Sequence, residues 1–349
     1  MSPPLSSEPA PDLSVIIPVY NRDEVIRYTL ESVRRASAGL AVETIVVDDG
    51  STTPTADVLA RLGFSPTKLI RQENRGLLFA RLTGLGAATG RHVLFLDSDD
   101  LVSADKFTAQ VSAMDRTGAD VSYTDTGRAT LVGDYDALSI ALDSPLRATS
   151  DAAEFFIEVQ PAPHSPMFRR AYLDKVVQHA FFPPAALYNS VAEIWFYHNA
   201  APFPGRVLYV PGPHAIIGQH PGMRLTSYWE RLGAASLAVM EAFARTSPSD
   251  TPTARRARQL VGEKAFGSWR RLPRDFSREF GDRTLDLWRK LSGTRTPALG
   301  GGVFQNIARV LGPVGAARLL HRFQAGPYES CRTMTDAEFA QLLAKLPPP

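Results

Sequence analysis

Residues 92–102 read HVLFLDSDDLV. Four apolar residues, Val93 to Leu96, run directly into Asp97, Ser98, Asp99 and Asp100. An apolar run this short has the length of a buried strand, and a buried strand rarely ends in three carboxylates. Packed carboxylates repel and raise each other's pKa unless a cation or a set of donors holds them. The stretch is either the chain leaving the core for water or a cation site at a strand end. The neighbouring strand ends decide between the two.

Working outward, strand-like and helix-like patterns alternate up to about residue 125. Apolar, β-branched runs lie at Leu13 to Val19, Thr44 to Val47, Thr67 to Ile70, His92 to Leu96 and Asp120 to Tyr123. Between them, helical spacing runs from Asp23 to Arg35, Pro54 to Leu62, Leu77 to Ala88 and Asp105 to Arg116. Near-continuous apolar strands joined by helices imply a parallel sheet covered on both faces. Ligands of such sheets sit beyond the carboxyl ends of the strands. Three of the first four strands end in polar sequence: Pro18-Val19-Tyr20-Asn21-Arg22, Asp48-Asp49-Gly50-Ser51 and Asp97-Ser98-Asp99-Asp100. Each alone reads as turn or cap chemistry. On one sheet edge they converge.

Beyond residue 125 the rhythm changes. Residues 126–160 carry no clear pattern, and Arg206 to Val210 with Ala215 to Ile217 reads as a short pair of strands. From Ser227 the pattern is mostly helical, and Thr335 with Glu338 forms a capping box for a last helix, Asp336 to Leu346. The expected organisation is a flexible tail at 1–12, an α/β domain at 13–226 and a helical C-terminal region at 227–349. Within the α/β domain the first part is residues 13–125 and the second 126–226.

Composition narrows the classes. With 44% hydrophobic and 21% charged residues the chain is an ordinary globular one, not a disordered one. Cys331 is the only cysteine, so no intrachain disulfide forms and a reducing compartment is expected. The start, MSPPLSSEPAPD, has neither the basic nor the apolar region of a signal peptide. No apolar stretch reaches the ~18 residues of a membrane span. The expected location is the cytoplasm, free or peripheral at the inner face of the membrane. From Arg255 to Arg322 there are 15 Arg and Lys against 5 Asp and Glu. Basic helices with apolar faces of this kind either pack on a neighbouring domain or lie on an anionic membrane. No nucleic-acid motif accompanies the charge, so nucleic acid is not an expected partner.

The stretches SVIIPVYNR, ETIVVDDGS, ENRGLLFARLTGLGAATG and HVLFLDSDD resemble, in order and spacing, family 2 glycosyltransferases of the GT-A fold. The resemblance is strong from Leu13 to Asp105 and weaker to about His220. It implies a GT-A fold, Rossmann-like with a mainly parallel sheet, and transfer of a single sugar with inversion from a nucleotide diphosphate sugar. It also implies a Mn²⁺ or Mg²⁺ cofactor, for which hard carboxylate ligands are suited. By position, Asp99 matches the principal metal ligand, and Asp97 the second contact, through the metal or the donor ribose. His220, in GQHPGMRLT, matches a position near metal and diphosphate. Asp49 matches the acid that accepts from a pyrimidine ring, which points to a UDP-sugar, and Pro18 and Tyr20 match the base-flanking positions. Asn74 and Arg81 fall where the family has polar nucleotide contacts, although Arg81 also reads as half of a surface ion pair. Asn21 and Arg22 read equally as a simple turn.

For the base that inversion requires, the family has an acidic pair at the start of a later helix. The corresponding stretch here is SVAEIWFYHNAA, which places Glu193 at the base and Ala192 where the preceding Glu would be. A shift of one residue would place Ile194 there instead. The acceptor is not readable from the sequence: a lipid-linked saccharide, another glycan, a protein and a small molecule all stay open. The loop PVYNRDE lacks the Gly-rich, Arg-containing phosphate loop of a nucleotidylyltransferase, and a Gln-x-x-Arg-Trp motif of processive synthases is absent. A non-catalytic sugar-nucleotide binder with a degenerate base position is the alternative.

Overall fold

A computed structural model describes residues 10–221, 228–292, 300–324 and 326–347. Most of the expected tail, residues 1–9, and the expected boundary at residue 226 lie outside the described residues. The chain forms two compact units. Unit 1 comprises residues 1–151, 161–178 and 205–222; unit 2 comprises 152–160, 179–204 and 223–349. Segments 152–160 and 179–204 therefore join the helices that follow them in sequence.

Unit 1 is built on one sheet. Its strands are β1 (Leu13–Val19), β2 (Val42–Asp48), β3 (Lys68–Arg71), β4 (His92–Phe95), β5 (Leu101–Val102), β6 (Val121–Thr130), β7 (Ile140–Leu142), β8 (Met167–Arg169) and β9 (Val207–Gln219). The order is β3-β2-β1-β4-β8-β6-β9-β5, with β7 paired to β6. The first four strands are parallel; β8 runs antiparallel to both β4 and β6. Four helices cover the first half: α1 (Ile26–Ala36), α2 (Thr55–Leu62), α3 (Leu77–Ala87) and α4 (Lys106–Thr117).

All seven β1 residues are buried, as expected for a strand covered on both faces. Leu13, Val15, Ile17 and Val19 join a core with Leu30 and Val33 of α1, Val58 of α2 and Phe107 and Val111 of α4. Ile16 faces the other way, against α3, where a Cβ added at Gly84 would lie 2.3 Å from its Cγ2. That close approach explains the small residues of α3. A buried acid closes the sheet's far end. Glu43 accepts from Ser14 Oγ, from the amides of Thr89 and Gly90, and from Lys68 Nζ at 3.0 Å. Burial alone raises its pKa, but these donors outweigh it and hold Glu43 down at about 2.

One expectation needs correction. The strand pair at Arg206 to Val210 and Ala215 to Ile217 is one strand, β9, parallel to β6. Pro211-Gly212-Pro213 does not reverse the chain but bulges it. Val210 pairs with Thr124 and Ala215 with Thr126, leaving the extra residues opposite Asp125. Gly212 adopts φ 127°, and its amide donates to Asp125 Oδ2 at 3.0 Å. Leu101 and Val102, given no element in the sequence reading, form β5, antiparallel to Ile216 and Ala215 of β9. The acidic stretch 97–100 is thus a turn between two strands, closed by the Asp100 amide donating to the Asp97 carbonyl at 3.0 Å.

Unit 2 is helical. It contains Ala192–Ala200, Trp229–Thr246, Pro252–Arg270, Arg278–Ser292, Gly302–Gln324 and Asp336–Ala344. Pro252 occupies the first turn of its helix while Thr251 Oγ1 accepts from the Ala254 amide at 3.1 Å, a regular N-terminus. The Thr335 and Glu338 capping box forms as expected. Phe266, Leu285, Trp288, Phe304, Ala316 and Ala317 make its buried core.

Candidate active site

The site lies in unit 1, at the carboxyl ends of β1, β2 and β4 and the end of β9. Asp99 is its focus. Its Oδ2 lies 3.0 Å from His220 Nε2 and 3.4 Å from Arg22 Nε. His220 immediately follows β9 and Arg22 follows β1, so three chain segments remote in sequence meet at one carboxylate. The meeting depends on backbone contacts. Gly218 passes so close to the turn that an added Cβ would lie 1.9 Å from the Asp99 carbonyl oxygen. Its amide donates to Asp100 Oδ1 at 2.9 Å. Asp100 Oδ2 in turn lies 3.1 Å from Nδ1 of the buried His164.

Asp97 turns the other way. Arg81 Nη2 donates to its Oδ1 at 2.7 Å. Arg81 is 1% exposed, so the expected surface ion pair is instead a buried one, reaching from α3 to the end of β4. Burial pushes the Asp97 carboxyl up, Arg81 opposes that, and Asp100 and Asp99 add to it.

Asp49 is buried, and its two oxygens accept from Gln72 Nε2 at 2.7 Å and the amides of Arg75 and Gly76 at 3.0 and 2.8 Å. It braces the loop that leads into α3. Asn74 is exposed on that loop, beside Gly50, while Pro18 is buried at the end of β1 and Tyr20 is exposed just beyond it. Asn21 makes the turn: at φ 51° its amide donates to Ser51 Oγ and its Oδ1 accepts from the Thr52 amide. Arg22, by contrast, is directed at Asp99. No sequence signal singled out that contact, or the one between Asp100 and His164.

Glu193 belongs to unit 2, in the first turn of Ala192–Ala200, where it is half-buried beside the buried Ala192 and Trp195. An acid in a first turn is favoured there by the helix dipole.

The donors fit a hard divalent cation in part. Asp99 and His220 offer one carboxylate oxygen and one imidazole nitrogen on a common point. Among the described residues no group of three or more His, Cys, Asp or Glu is arranged around a metal. Mg²⁺ is typically held by one or two carboxylates together with substrate phosphates, so such a pair is sufficient on the protein's side.

Residues 14–177 match the family model described as Glycosyl transferase family 2. The stretch is a family 2 glycosyltransferase domain. The chain is 36% identical over 123 residues to the succinoglycan biosynthesis protein ExoO of Rhizobium meliloti, covering 35% of each. It is 28% identical over 241 residues to EpsH of Bacillus subtilis, named as a glycosyltransferase, covering 66% of this chain and 67% of that one. It therefore spans about a third of the first of these relatives and two thirds of the second. The fold agrees with S. aureus TarS 1-349 in complex with UDP-GlcNAc, at TM-score 0.62 and 16% identity over 93% of both chains. The GT-A architecture with a helical C-terminal region expected for a family 2 domain is the one present.

Proposed function

We propose that the chain transfers a sugar, with inversion, from a nucleotide diphosphate sugar to an acceptor hydroxyl. One observation carries this reading: Arg22 and Asp99 of the family 2 stretch and His220 at the end of β9 meet at one carboxylate beside the Arg81–Asp97 pair. Two clusters of positive and negative groups at a strand edge suit a diphosphate and its counter-ion. The names of the relatives support transfer in cell-envelope polysaccharide synthesis, and the UDP-GlcNAc held by TarS supports a UDP-sugar donor.

Asp99 and His220 would hold a Mn²⁺ or Mg²⁺ ion, with Asp97 as a further contact to the ion or the ribose. Such an ion would supply positive charge for the departing diphosphate. Arg22 adds charge at the same place. Asp49 keeps the 72–76 loop in place and would accept from the pyrimidine, with Pro18 and Tyr20 flanking the base and Asn74 beside it. Arg81 orients Asp97. Glu193 is the proposed base: it would take the proton of the acceptor hydroxyl as that oxygen bonds to the anomeric carbon. The bond from that carbon to the diphosphate breaks, and its electron pair leaves with the nucleotide.

Calorimetry with UDP and Mn²⁺ tests the reading. Asp99→Ala and His220→Ala should each lose most of the metal-stimulated affinity while keeping the wild-type melting temperature. Unchanged UDP affinity in Asp99→Ala would sink it. Ala192, in the place of an acid, favours a non-catalytic binder as the second reading. Hydrolysis of UDP-sugars by the wild-type chain separates the two.

A further inference from the structure

The basic stretch from Arg255 to Arg322 divides in two. In its first part the arginines are largely engaged within unit 2. Arg256 lies 3.6 Å from Glu154, Arg283 pairs with Glu241 at 2.6 Å and Arg289 with Asp286 at 2.7 Å. Arg258 donates to the Ala244 carbonyl and Ser247, and the Arg270 guanidinium lies 3.9 Å above the centre of the Phe304 ring. These contacts fit a helical unit held together by its own charges.

The segment Gly302–Gln324 behaves differently. Its inner side, with Phe304, Ala308, Ala316 and Ala317, is buried in the core. Its outer side is exposed and mixes apolar side chains with Asn306, Arg309 and Arg318. Val303, Val310, Leu311 and Leu319 are four of the nine large apolar side chains exposed among the described residues, and Val310 is 83% exposed. Val310 and Leu311 precede a sharp break, where Gly312 adopts φ 69° and Pro313 starts a new helical run. Proline disfavours a helical residue before it, and glycine accepts the left-handed conformation, so the break is built in. The result is an apex that presents Val310 and Leu311 to solvent next to Arg309. Arg309 has a 3.4 Å contact to Asn306, and among the described residues Arg318 makes no hydrogen bond or ion pair. Residues 302–324 contain no Asp or Glu at all.

We propose that this apex docks on an anionic lipid surface, with Val310 and Leu311 entering the interface and Arg309 and Arg318 facing lipid headgroups. Charge complementarity selects that occupant. A second copy of the same face, related by a two-fold axis, would bring arginine against arginine with no acid to compensate. An anionic bilayer accepts both parts at once: apolar side chains partition into the interface and each arginine near the surface adds about fivefold in binding. The inference concerns unit 2 alone and does not depend on the glycosyl-transfer reading.

Co-sedimentation of the full chain with vesicles of phosphatidylcholine, with and without phosphatidylglycerol, tests it. Binding should require phosphatidylglycerol and weaken as salt rises. Val310→Asp combined with Leu311→Asp should lower binding about tenfold or more. Arg309→Gln combined with Arg318→Gln should lower it about twentyfold or more while leaving the melting temperature unchanged. Equal recovery with both vesicle types, or full binding by the Val310→Asp, Leu311→Asp chain, overturns the proposal. So does a wild-type dimer in light scattering that the same double substitution converts to monomer without any vesicle binding.

Discussion

Arg81 donates from Nη2 to Asp97 Oδ1 at 2.7 Å, and the arginine is the more buried partner, at 1% exposed against 26% for the Asp97 side chain. The cation is thus inside the fold and the anion is at the rim of the site. Arg81→Met removes the charge paired with Asp97, leaving that carboxylate against Asp99 and Asp100, and should cost about 3 kcal/mol at pH 7. Urea denaturation of this variant beside Asp99→Ala is the check. The Asp99 variant should stay within ~1 kcal/mol of wild type, since the Asp99 and Arg22 side chains are partly exposed, at 22% and 29%. Equal losses would mean that the buried pair is not what holds the strand end.

Glu43 gives the fold an acid-sensitive point away from the site. Its folded pKa is about 2, against an ordinary value near 4.5. A carboxylate depressed on folding stabilises above its unfolded pKa, and that contribution disappears as pH falls through the folded one. The side chain is 4% exposed, so solvent screening is small. Glu43→Gln should therefore lose roughly 3 kcal/mol at pH 7. The gap to wild type should close between pH 4.5 and about 2. A gap that persists unchanged at pH 2.5 would show that lost packing, not lost charge, is responsible.

Much of this is legible in the sequence. The runs at Leu13, Thr44 and His92 could be read because strands covered on both faces are continuously apolar, and because the polar residues that end them share an edge. Asp97, Asp99 and His220 followed from motif position. What stayed hidden depends on contacts between distant segments. Leu101 and Val102 are too few for a periodicity, and become a strand only because β9 lies beside them. Pro211-Gly212-Pro213 has the composition of a turn, yet Asp125 on the neighbouring strand turns it into a bulge. Arg22 and His164 carry no local signal of the carboxylates they meet.

Glu193 separates transfer from binding. If it accepts the proton of the acceptor hydroxyl, Glu193→Gln keeps UDP-sugar affinity and loses transfer by a factor on the order of 10². The amide is nearly isosteric with the acid but cannot take the proton. Steady-state transfer and donor calorimetry on the same preparation distinguish the two effects. Full transfer by Glu193→Gln would move the base to another carboxylate, and an equal fall in donor affinity would assign Glu193 a structural part in its helix.

Gly218 tests whether the site depends on how tightly β9 lies against the acidic turn. An added Cβ would be 1.9 Å from the Asp99 carbonyl oxygen and 2.7 Å from Leu131 Cδ1. The first of these is backbone and cannot rotate away, so Gly218→Ala must push the strand and the turn apart. Overpacking of this kind costs about 1–3 kcal/mol. The larger effect should fall on function, because the displaced strand carries His220 and the displaced turn carries Asp99. Mn²⁺-dependent UDP affinity should drop by more than the stability loss explains, leaving any metal-independent binding in place. Gly86→Ala is the control: it lies in α3 with nothing within 4 Å of the new Cβ. There alanine should be neutral or stabilise by up to ~1 kcal/mol. Wild-type metal-dependent affinity in a folded Gly218→Ala chain would show that Asp99 and His220 do not act together.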